Sequence, residues 1–290
     1  LENLQKFNTK IKIDLSASEV DFSIFNYIKK KGDNSNIEFN FFRNNKSNIF
    51  RNIKFISKDK KMNIQYLFFN NRFILKDIGK TNINFGERNN LKIIKKNNNY
   101  IILGSSLDLS KYLKSKRKKK ITNLKLDVNG NIDTKLNKIY LPGEYLTDYE
   151  NKIKLKKGKI TKLDSFANFR DLTSFSHRVL KNEKGNKLLL FNSDKAKPFL
   201  SNYEFLKGLE KGTLDVKREY ISHNSNITEV KVENFYLKEM PVLTKILSIA
   251  SLTGALDILE GKGIFFKEAY LKYELINNEL KILECYGTGP

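Results

Sequence analysis

The sequence predicts a mainly β protein built on one continuous antiparallel sheet, with a short broken helix pair near the C-terminus. Polar and apolar residues alternate over five to ten positions through most of the chain, and clusters of Asn, Asp, Gly or Lys interrupt the alternation, as in half-buried strands. No Pro/Gly/Ser-rich linker and no repeat of fixed length divides the 290 residues. These observations favour a sheet that grows strand by strand, with about a dozen or more strands.

Two stretches illustrate the strand pattern. Residues 122–128 place Leu124, Leu126 and Val128 on one face, because side chains alternate with a period of two in a strand. Residues 151–163 alternate on both sides of Lys157 and Gly158, which predicts a hairpin, since glycine adopts positive φ at little cost.

Helical patterns are few and short. Residues 193–212 begin with a capping residue, Ser193 or Asp194, and carry apolar residues at helical spacing, although Pro198 limits the regularity. Residues 107–115 predict another short helix, which leads into a basic run at 114–120. We expect that run to be a solvated loop between strands, and it is the one candidate boundary in the chain.

The longest apolar stretch, residues 241–266, predicts the broken helix pair. Pro241 suits the first turn of a helix, and apolar residues follow on one helical face at three- and four-residue spacing. Gly261 predicts the C-terminal end. Lys245, Asp257 and Glu260 interrupt the stretch, so it does not predict a membrane span. The pair either packs over one end of the sheet or closes the end of an apolar trough.

The formal net charge is +22, and only eight of the 54 basic residues are Arg. A protein selected to bind phosphate or bases usually uses more Arg, because the guanidinium group can form two parallel hydrogen bonds. The joint excess of Lys and Asn is typical of an A/T-rich genome. Attraction to anionic lipid headgroups or to nucleic acid is the alternative interpretation.

Signals for catalysis and for metal binding are absent from the sequence. His177 and His223 are the only histidines, Cys285 is the only cysteine, and no zinc, phosphate-loop or nucleophile-elbow motif occurs. We therefore expect no enzymatic activity, no cofactor and no metal.

Residues 232–290 resemble the C-terminal region of the AsmA-like family (the YhdP/TamB type of inter-membrane lipid transport protein). The family pattern runs "NF…PVL…LL…ASLTG…L.G.GI.F" and ends in strands and a Gly-Pro step. Matching positions are Asn234, Phe235, Pro241, Leu243, Leu247, Ala250, Ser251, Leu252, Gly254, Leu256, Gly261, Gly263, Ile264, Phe266, Gly289 and Pro290. Upstream, Asp194, Ala196, Leu200, Gly212 and Leu214 match a second family segment, whereas Lys195 and Pro198 depart from its small residues. The resemblance is good over 187–290 and weaker over 121–186.

The resemblance implies a long curved sheet rolled into an open apolar groove, in a protein anchored in the inner membrane of a Gram-negative bacterium and crossing the periplasm. It implies phospholipid movement between the inner and outer membranes, with acyl chains as the bound partner and no nucleic acid. The chain would then be a fragment of a longer protein, with residues 1–120 as a β-rich part of the groove and 121–290 as the AsmA-like C-terminal region. The alternatives are a structural or adhesion β domain of the cell envelope and a basic protein that binds single-stranded nucleic acid.

If a groove exists, the apolar phase of the strands should line it. The expected lining residues are Leu124, Leu126, Val128, Ile139, Leu141, Ile153, Leu155, Leu188, Leu190, Val230, Val232, Phe266, Leu271, Tyr273, Leu275, Leu280 and Ile282. The expected capping helix presents Leu243, Ile246, Leu247 and Ala250. A packed sandwich core is the alternative role for the same residues.

Overall fold

The prediction of a mainly β protein is confirmed by the structure, a computed structural model that describes residues 6–114, 126–203, 206, 208–238 and 263–289. One large mixed sheet contains 17 strands. The strands are β1 (Phe7–Asp14), β2 (Val20–Phe22), β3 (Tyr27–Lys29), β4 (Ser35–Arg43), β5 (Ser47–Ser57), β6 (Lys60–Asn70), β7 (Leu75–Ile78), β8 (Thr81–Asn84), β9 (Asn90–Lys96), β10 (Asn99–Asp108), β11 (Gly130–Leu141), β12 (Glu144–Lys156), β13 (Lys159–Phe169), β14 (Ser174–Lys181), β15 (Lys187–Ser193), β16 (Leu209–Tyr220), β17 (Ser225–Leu237), β18 (Ile264–Ile276) and β19 (Glu279–Thr288). The helices of the described ranges are α1 (Ser110–Lys114), α2 (Lys197–Leu200) and a 3-10 turn at Ser23–Phe25.

The chain forms two compact units. Unit 1 comprises Leu1–Leu141 and Tyr145–Ser165, and unit 2 comprises Pro142–Glu144 and Phe166–Pro290. The boundary expected between residues 120 and 121 thus falls inside unit 1.

Most strand neighbours in unit 1 are antiparallel. β1, β4, β5 and β6 pair in that order, and β6 then pairs with both β7 and β8. β8, β9 and β10 continue the antiparallel arrangement. The prediction of a wholly antiparallel sheet is wrong at the next step, because β10 and β11 are parallel. Residues 109–129 connect these two strands, which a tight hairpin could not do for a parallel pair.

The strand expected at 122–128 is not present in its described part. Leu126 forms only an isolated bridge with Leu75, and β11 begins later, at Gly130. Asp127 donates its backbone N–H to Leu75, whereas Val128 accepts the N–H of Gly158. Two consecutive residues therefore form backbone hydrogen bonds with two different segments of the chain, so no regular strand pairing develops here.

A two-stranded ribbon, β2 and β3, covers part of the unit 1 sheet with aromatic side chains. The Phe22 ring lies 4.8 Å from the Phe55 ring and 5.2 Å from the Phe85 ring, and Tyr27 lies 4.8 Å from Phe85. Phe55 is completely buried. These centroid separations fall within the range of favourable aromatic pairs, so the ribbon packs on the sheet through an apolar surface.

The end of β10 is held by a buried carboxylate, Asp108, which is 1% exposed. It accepts hydrogen bonds from the backbone N–H and hydroxyl of Ser110 at 2.9 and 2.5 Å, from Asn26 at 3.0 Å and from Arg88 at 3.2 Å. Burial raises the pKa of Asp108, but these hydrogen bonds outweigh burial and hold the pKa below its ordinary value.

A carboxylate with a lowered pKa stabilises the fold above its unfolded-state pKa, and that contribution is lost as the pH falls through the folded-state pKa. We therefore expect Asp108→Asn to reduce the acid sensitivity of the protein below about pH 4. Urea denaturation at pH 7, 4, 3 and 2 measures the free energy of unfolding of both proteins. An unchanged slope of that free energy against pH in the variant would show that Asp108 makes no such contribution.

The hairpin expected at 157 and 158 is confirmed by the strand ends, since β12 ends at Lys156 and β13 begins at Lys159. Lys157 and Gly158 have φ values of 51° and 70°, as a tight two-residue turn of the type I′ class requires.

In unit 2, β14 to β19 form an antiparallel meander in which each strand pairs with its neighbours in the chain. Asn277 and Asn278, with φ values of 50° and 70°, make the turn between β18 and β19. β17 and β18 are joined by residues 238–263, yet Leu237 and Ile264 are directly paired.

The helix predictions are confirmed in part. The 107–115 pattern yields α1 only from Ser110, because Leu107 and Asp108 belong to β10. The 193–212 pattern yields one turn, α2, whose N-cap is Ala196 rather than Ser193 or Asp194. β16 begins at Leu209, inside the span expected to be helical. The broken helix pair and its residues Leu243, Ile246, Leu247 and Ala250 lie outside the described residues, as does most of the basic run.

Candidate binding face

The register of unit 2 gives its sheet one face with no carboxylate. Directly paired residues of antiparallel strands share a face, so the pairs can be followed from β14 to β19. Along the middle of the strands, His177 pairs with Phe191, Phe191 with Val216, and Val216 with Val230. Following every pair in this way defines the apolar face: Phe175, His177, Val179, Lys181, Lys187, Leu189, Phe191, Ser193, Leu214, Val216, Arg218, Tyr220, Asn226, Thr228, Val230, Val232, Ala269, Leu271, Tyr273, Leu275, Leu280, Ile282, Cys285 and Gly287.

The opposite side, which we call the charged face, carries the carboxylates of these strands. They are Glu210, which pairs with Tyr236 beyond the irregularity at Gly212, and Asp215, Glu219, Glu229, Glu233, Glu268, Glu274, Glu279 and Glu284. Lys231 lies between Glu233 and Glu268, with Nζ to oxygen distances of 2.8 and 3.1 Å, and these hydrogen bonds raise the pKa of the lysine. Lys272 pairs with Glu229 at 3.2 Å. Two lysines of the charged face thus lie beside three of its carboxylates.

A change of strand phase extends the apolar face toward one end of the sheet. Asn234 has a φ of 54°, which interrupts the alternation, so Val232 and Phe235 both belong to the same buried cluster. On the neighbouring strand, Gly212 has a φ of 78°, and a Cβ there would lie 2.7 Å from the Cβ of Phe235. Only glycine fits this position without a local shift.

The end of the face that adjoins α2 is the most apolar. α2 packs on it through Phe199, whose ring lies 4.9 Å from Phe191 and 5.8 Å from Phe175. Phe235 stacks on Phe266 at 5.1 Å with an interplanar angle of 9°. The surrounding buried residues are Ala196, Leu209, Leu214, Val232 and Leu237.

The other end of the face is polar and positively charged. Arg218 donates from Nε to the hydroxyl of Thr228 at 2.8 Å and from Nη2 to the hydroxyl of Tyr273 at 3.1 Å. Lys187 lies over the ring of Tyr220, 4.9 Å from its centroid. Burial lowers the pKa of Arg218, but the interactions with Tyr273 and Tyr220 outweigh burial and raise it. The face is therefore amphipathic along the strands.

Reactive groups on this face do not form a catalytic arrangement. Burial lowers the pKa of His177, whose ring lies 5.8 Å from the ring of Phe191. Cys285 is a free, exposed thiol on the edge strand β19. Across the described part of the chain, no group of three or more His, Cys, Asp or Glu is placed to hold a metal ion.

The expected lining residues are distributed as follows. The apolar face contains Val230, Val232, Leu271, Tyr273, Leu275, Leu280 and Ile282, and Phe266 joins its buried end through the stack on Phe235. Unit 1 contains Leu126, Val128, Ile139, Leu141, Ile153 and Leu155; Val128, Ile139 and Leu141 are buried, Ile153 and Leu155 are half-buried, and Leu126 is 47% exposed. Leu124 lies outside the described residues.

Leu188 and Leu190 do not share a face with the other expected lining residues of unit 2. Leu188 pairs with Glu219 and Leu190 with Lys217, so both lie on the charged face. Their neighbours Leu189 and Phe191 occupy the apolar face instead. The three consecutive leucines of β15 leave the phase of the strand ambiguous, and only Phe191, together with the pairing to Val216, could have indicated it.

A cavity of unit 1 offers a different kind of surface. It has a volume of about 610 Å³, is shallow, and is lined by polar side chains that include Lys10, Lys80, Asn63 and Asn82. Glu38 and Lys54 in the same cavity are 3.5 Å apart. Because the ion pair and amides share this surface with Phe39, Ile53 and Ile64, apolar area does not dominate the cavity as it does in most small-molecule sites.

None of the helices in the described ranges has the length and apolarity needed to cross a membrane. No protein-family model, no curated protein and no solved structure matches this chain.

Proposed function

We propose that the chain is part of an AsmA-like lipid transport protein of the cell envelope, and that the apolar face of unit 2 binds phospholipid acyl chains. In this proposal the protein acts in the periplasm, between the inner and outer membranes, and lipids slide along apolar side chains without a chemical step. The observation that carries the proposal is the separation of the two faces, with all the carboxylates of β14 to β19 on one side.

The physical basis is the cost of exposing acyl chains to water. Each methylene group exposed to water costs about 0.8 kcal/mol, so a continuous apolar surface removes most of the barrier to moving a lipid through an aqueous space. Leu271, Val230 and Phe191 are only half-buried, so the middle of the face is accessible to a ligand. Leu280 and Ile282 at its edge are 59% and 60% exposed.

Residues of the AsmA-like pattern occupy structural positions at this face, which supports the proposal. Asn234 provides the change of phase, and Phe235 and Phe266 stack at the apolar end. Gly263 has a φ of 80°, and a Cβ there would lie 2.7 Å from the carbonyl oxygen of Leu237. The pattern thus includes residues that shape the apolar end of the sheet.

Two neighbouring residues of β18 test the proposal. Leu271 lies on the apolar face and Lys272 on the charged face. Replacement by Gln therefore changes the apolar face at position 271 and the charged face at position 272. We expect Leu271→Gln to weaken binding of a fluorescent long-chain phospholipid about tenfold, because it removes apolar contact area. Lys272→Gln should bind as the parent does. Equilibrium titration measures both.

Thermal unfolding of the two variants provides the control for folding. If the parent protein binds no phospholipid in this titration, the proposed function is wrong, and a structural role in the envelope becomes the better interpretation. Equal weakening by both substitutions would instead exclude the apolar face as the binding surface.

A further inference from the structure

The polar end of the apolar face contains three cationic side chains that have no carboxylate partner among the residues that the structure describes. Lys181 and Lys187 are directly paired across β14 and β15. Arg218 lies on the next strand, two residues before Tyr220, which is the direct partner of Lys187. In the described part of the chain, no ion pair joins any of the three to Asp or Glu. We call these three residues the cationic rim.

The arrangement of the rim is unfavourable without an anion. Like charges directly opposite each other in a sheet are destabilising, as at Lys181 and Lys187. The lysines of the charged face avoid this cost, since Lys231 and Lys272 lie beside carboxylates. An anion bound at the rim would provide the missing countercharge.

The guanidinium group of Arg218 is also held in position. Thr228, which is completely buried, and Tyr273 accept hydrogen bonds from two of its nitrogens and fix its orientation on the face. Arginine forms strong charge-assisted hydrogen bonds with phosphate, and a fixed guanidinium loses little entropy when it binds. Thr228 and Tyr273 are therefore positioning residues for a phosphate contact.

The distance from the rim to the buried apolar cluster matches a lipid tail. Arg218 lies four positions after Leu214 in β16, which at about 3.3 Å per residue is about 13 Å. The hydrocarbon of one bilayer leaflet is about 15 Å thick, half of the usual core. A lipid with its phosphate at Arg218 could place its acyl chains along the apolar residues between these two positions.

We propose that the cationic rim of Lys181, Lys187 and Arg218 binds the phosphate of an anionic glycerophospholipid whose acyl chains extend along the apolar face toward α2. This inference rests on the proposed function and adds to it the headgroup class and the orientation of the lipid. It assigns the positive charge of this face to recognition, whereas the charge of the chain as a whole follows its Lys and Asn bias.

Three soluble probes separate the contributions of headgroup and tails. They are dihexanoyl phosphatidylglycerol below its micelle concentration, dihexanoylglycerol, which has no phosphate, and glycerol 3-phosphate, which has no tails. Equilibrium dialysis measures the affinity of each probe for the parent and for Arg218→Gln, Lys187→Gln and the control Lys217→Gln. Lys217 is adjacent to Arg218 in the chain but lies on the charged face.

We expect Arg218→Gln to weaken phosphatidylglycerol binding tenfold or more and Lys187→Gln about threefold, because each removes a charged partner of the phosphate. Dihexanoylglycerol binding should be unchanged in all variants. Lys217→Gln should have no effect on any probe. Added salt should weaken phosphatidylglycerol binding by the parent more than binding by Arg218→Gln.

Other outcomes would overturn the inference in distinguishable ways. Parent protein that binds dihexanoylglycerol as tightly as phosphatidylglycerol would retain the lipid-binding function but lose the headgroup site. Tight binding of glycerol 3-phosphate alone would identify a free-phosphate site instead. An equal loss of both lipids in Arg218→Gln would show a structural role for the arginine. If Arg218→Gln does not fold, the inference is tested by Lys187→Gln and by the salt dependence of phosphatidylglycerol binding by the parent. Unchanged binding in Lys187→Gln together with no effect of salt would then overturn it. Failure of the parent to bind either lipid would contradict the proposed function itself.

Discussion

Replacing Phe235 by Ala is expected to lower the free energy of unfolding of unit 2 by about 3–5 kcal/mol. Phe235 is 2% exposed, stacks on Phe266 at 5.1 Å, and belongs to the buried cluster with Leu214, Val232 and Leu237. The substitution removes this apolar area from the core and leaves a cavity between rigid strands, which cannot collapse freely. Urea denaturation followed by far-UV circular dichroism measures the change.

The neighbouring Tyr236 provides a matched control. It is half-buried on the opposite side of β17, 5.2 Å from the ring of Phe265 and beneath Lys211. Tyr236→Ala should cost about 1–2 kcal/mol, since partly exposed cross-strand pairs contribute less than core residues. Equal losses in the two variants would mean that the cluster around Phe235 is not the core of unit 2.

Lys29→Met is expected to lower the free energy of unfolding of unit 1 by about 2–5 kcal/mol. The Lys29 side chain is completely buried, and its ammonium group donates hydrogen bonds to the carbonyl oxygens of Leu15, Ser16 at 3.2 Å and Ser18 at 2.7 Å. Methionine has a similar length but no donor, so the three carbonyls would lose a shared partner. The loop between β1 and β2 should then lose its order first.

Hydrogen exchange measured by mass spectrometry would locate this effect. Faster exchange in a peptide covering residues 15–20 of Lys29→Met is the expected result. The adjacent Lys30 is exposed, so Lys30→Met should change neither the exchange of this loop nor the free energy of unfolding by more than about 0.5 kcal/mol. Unchanged exchange in Lys29→Met would show that the ammonium contacts do not hold the loop.

The strands and their turns could be predicted well because both depend on local residue properties. Alternation identified β12 and β13, and Gly158 identified the turn between them. The abundance of Asn also has a structural consequence that composition did not reveal. Of the twelve non-glycine residues with positive φ in the described ranges, six are Asn, the type that tolerates this conformation best.

Helix length and sheet direction were predicted less well. α2 is a single turn although apolar residues continue at helical spacing, because Leu209 enters β16 and becomes fully buried there. Burial in the sheet outweighed the local helical pattern. The parallel pairing of β10 and β11 is a tertiary feature, and the two-residue period of a strand does not indicate its direction relative to a neighbour.

The sequence by itself determined that the chain would form many strands with one apolar and one polar phase, because a two-residue period and turn-forming residues act locally. Tertiary structure alone decided which set of alternating side chains in each strand lies on the same face of the sheet as those of its neighbours. It placed Leu189 and Phe191, rather than Leu188 and Leu190, beside Val216. It also collected Lys181, Lys187 and Arg218 from three strands on a face without carboxylates. Register is a property of paired strands, and a shift of one residue turns every side chain to the opposite face.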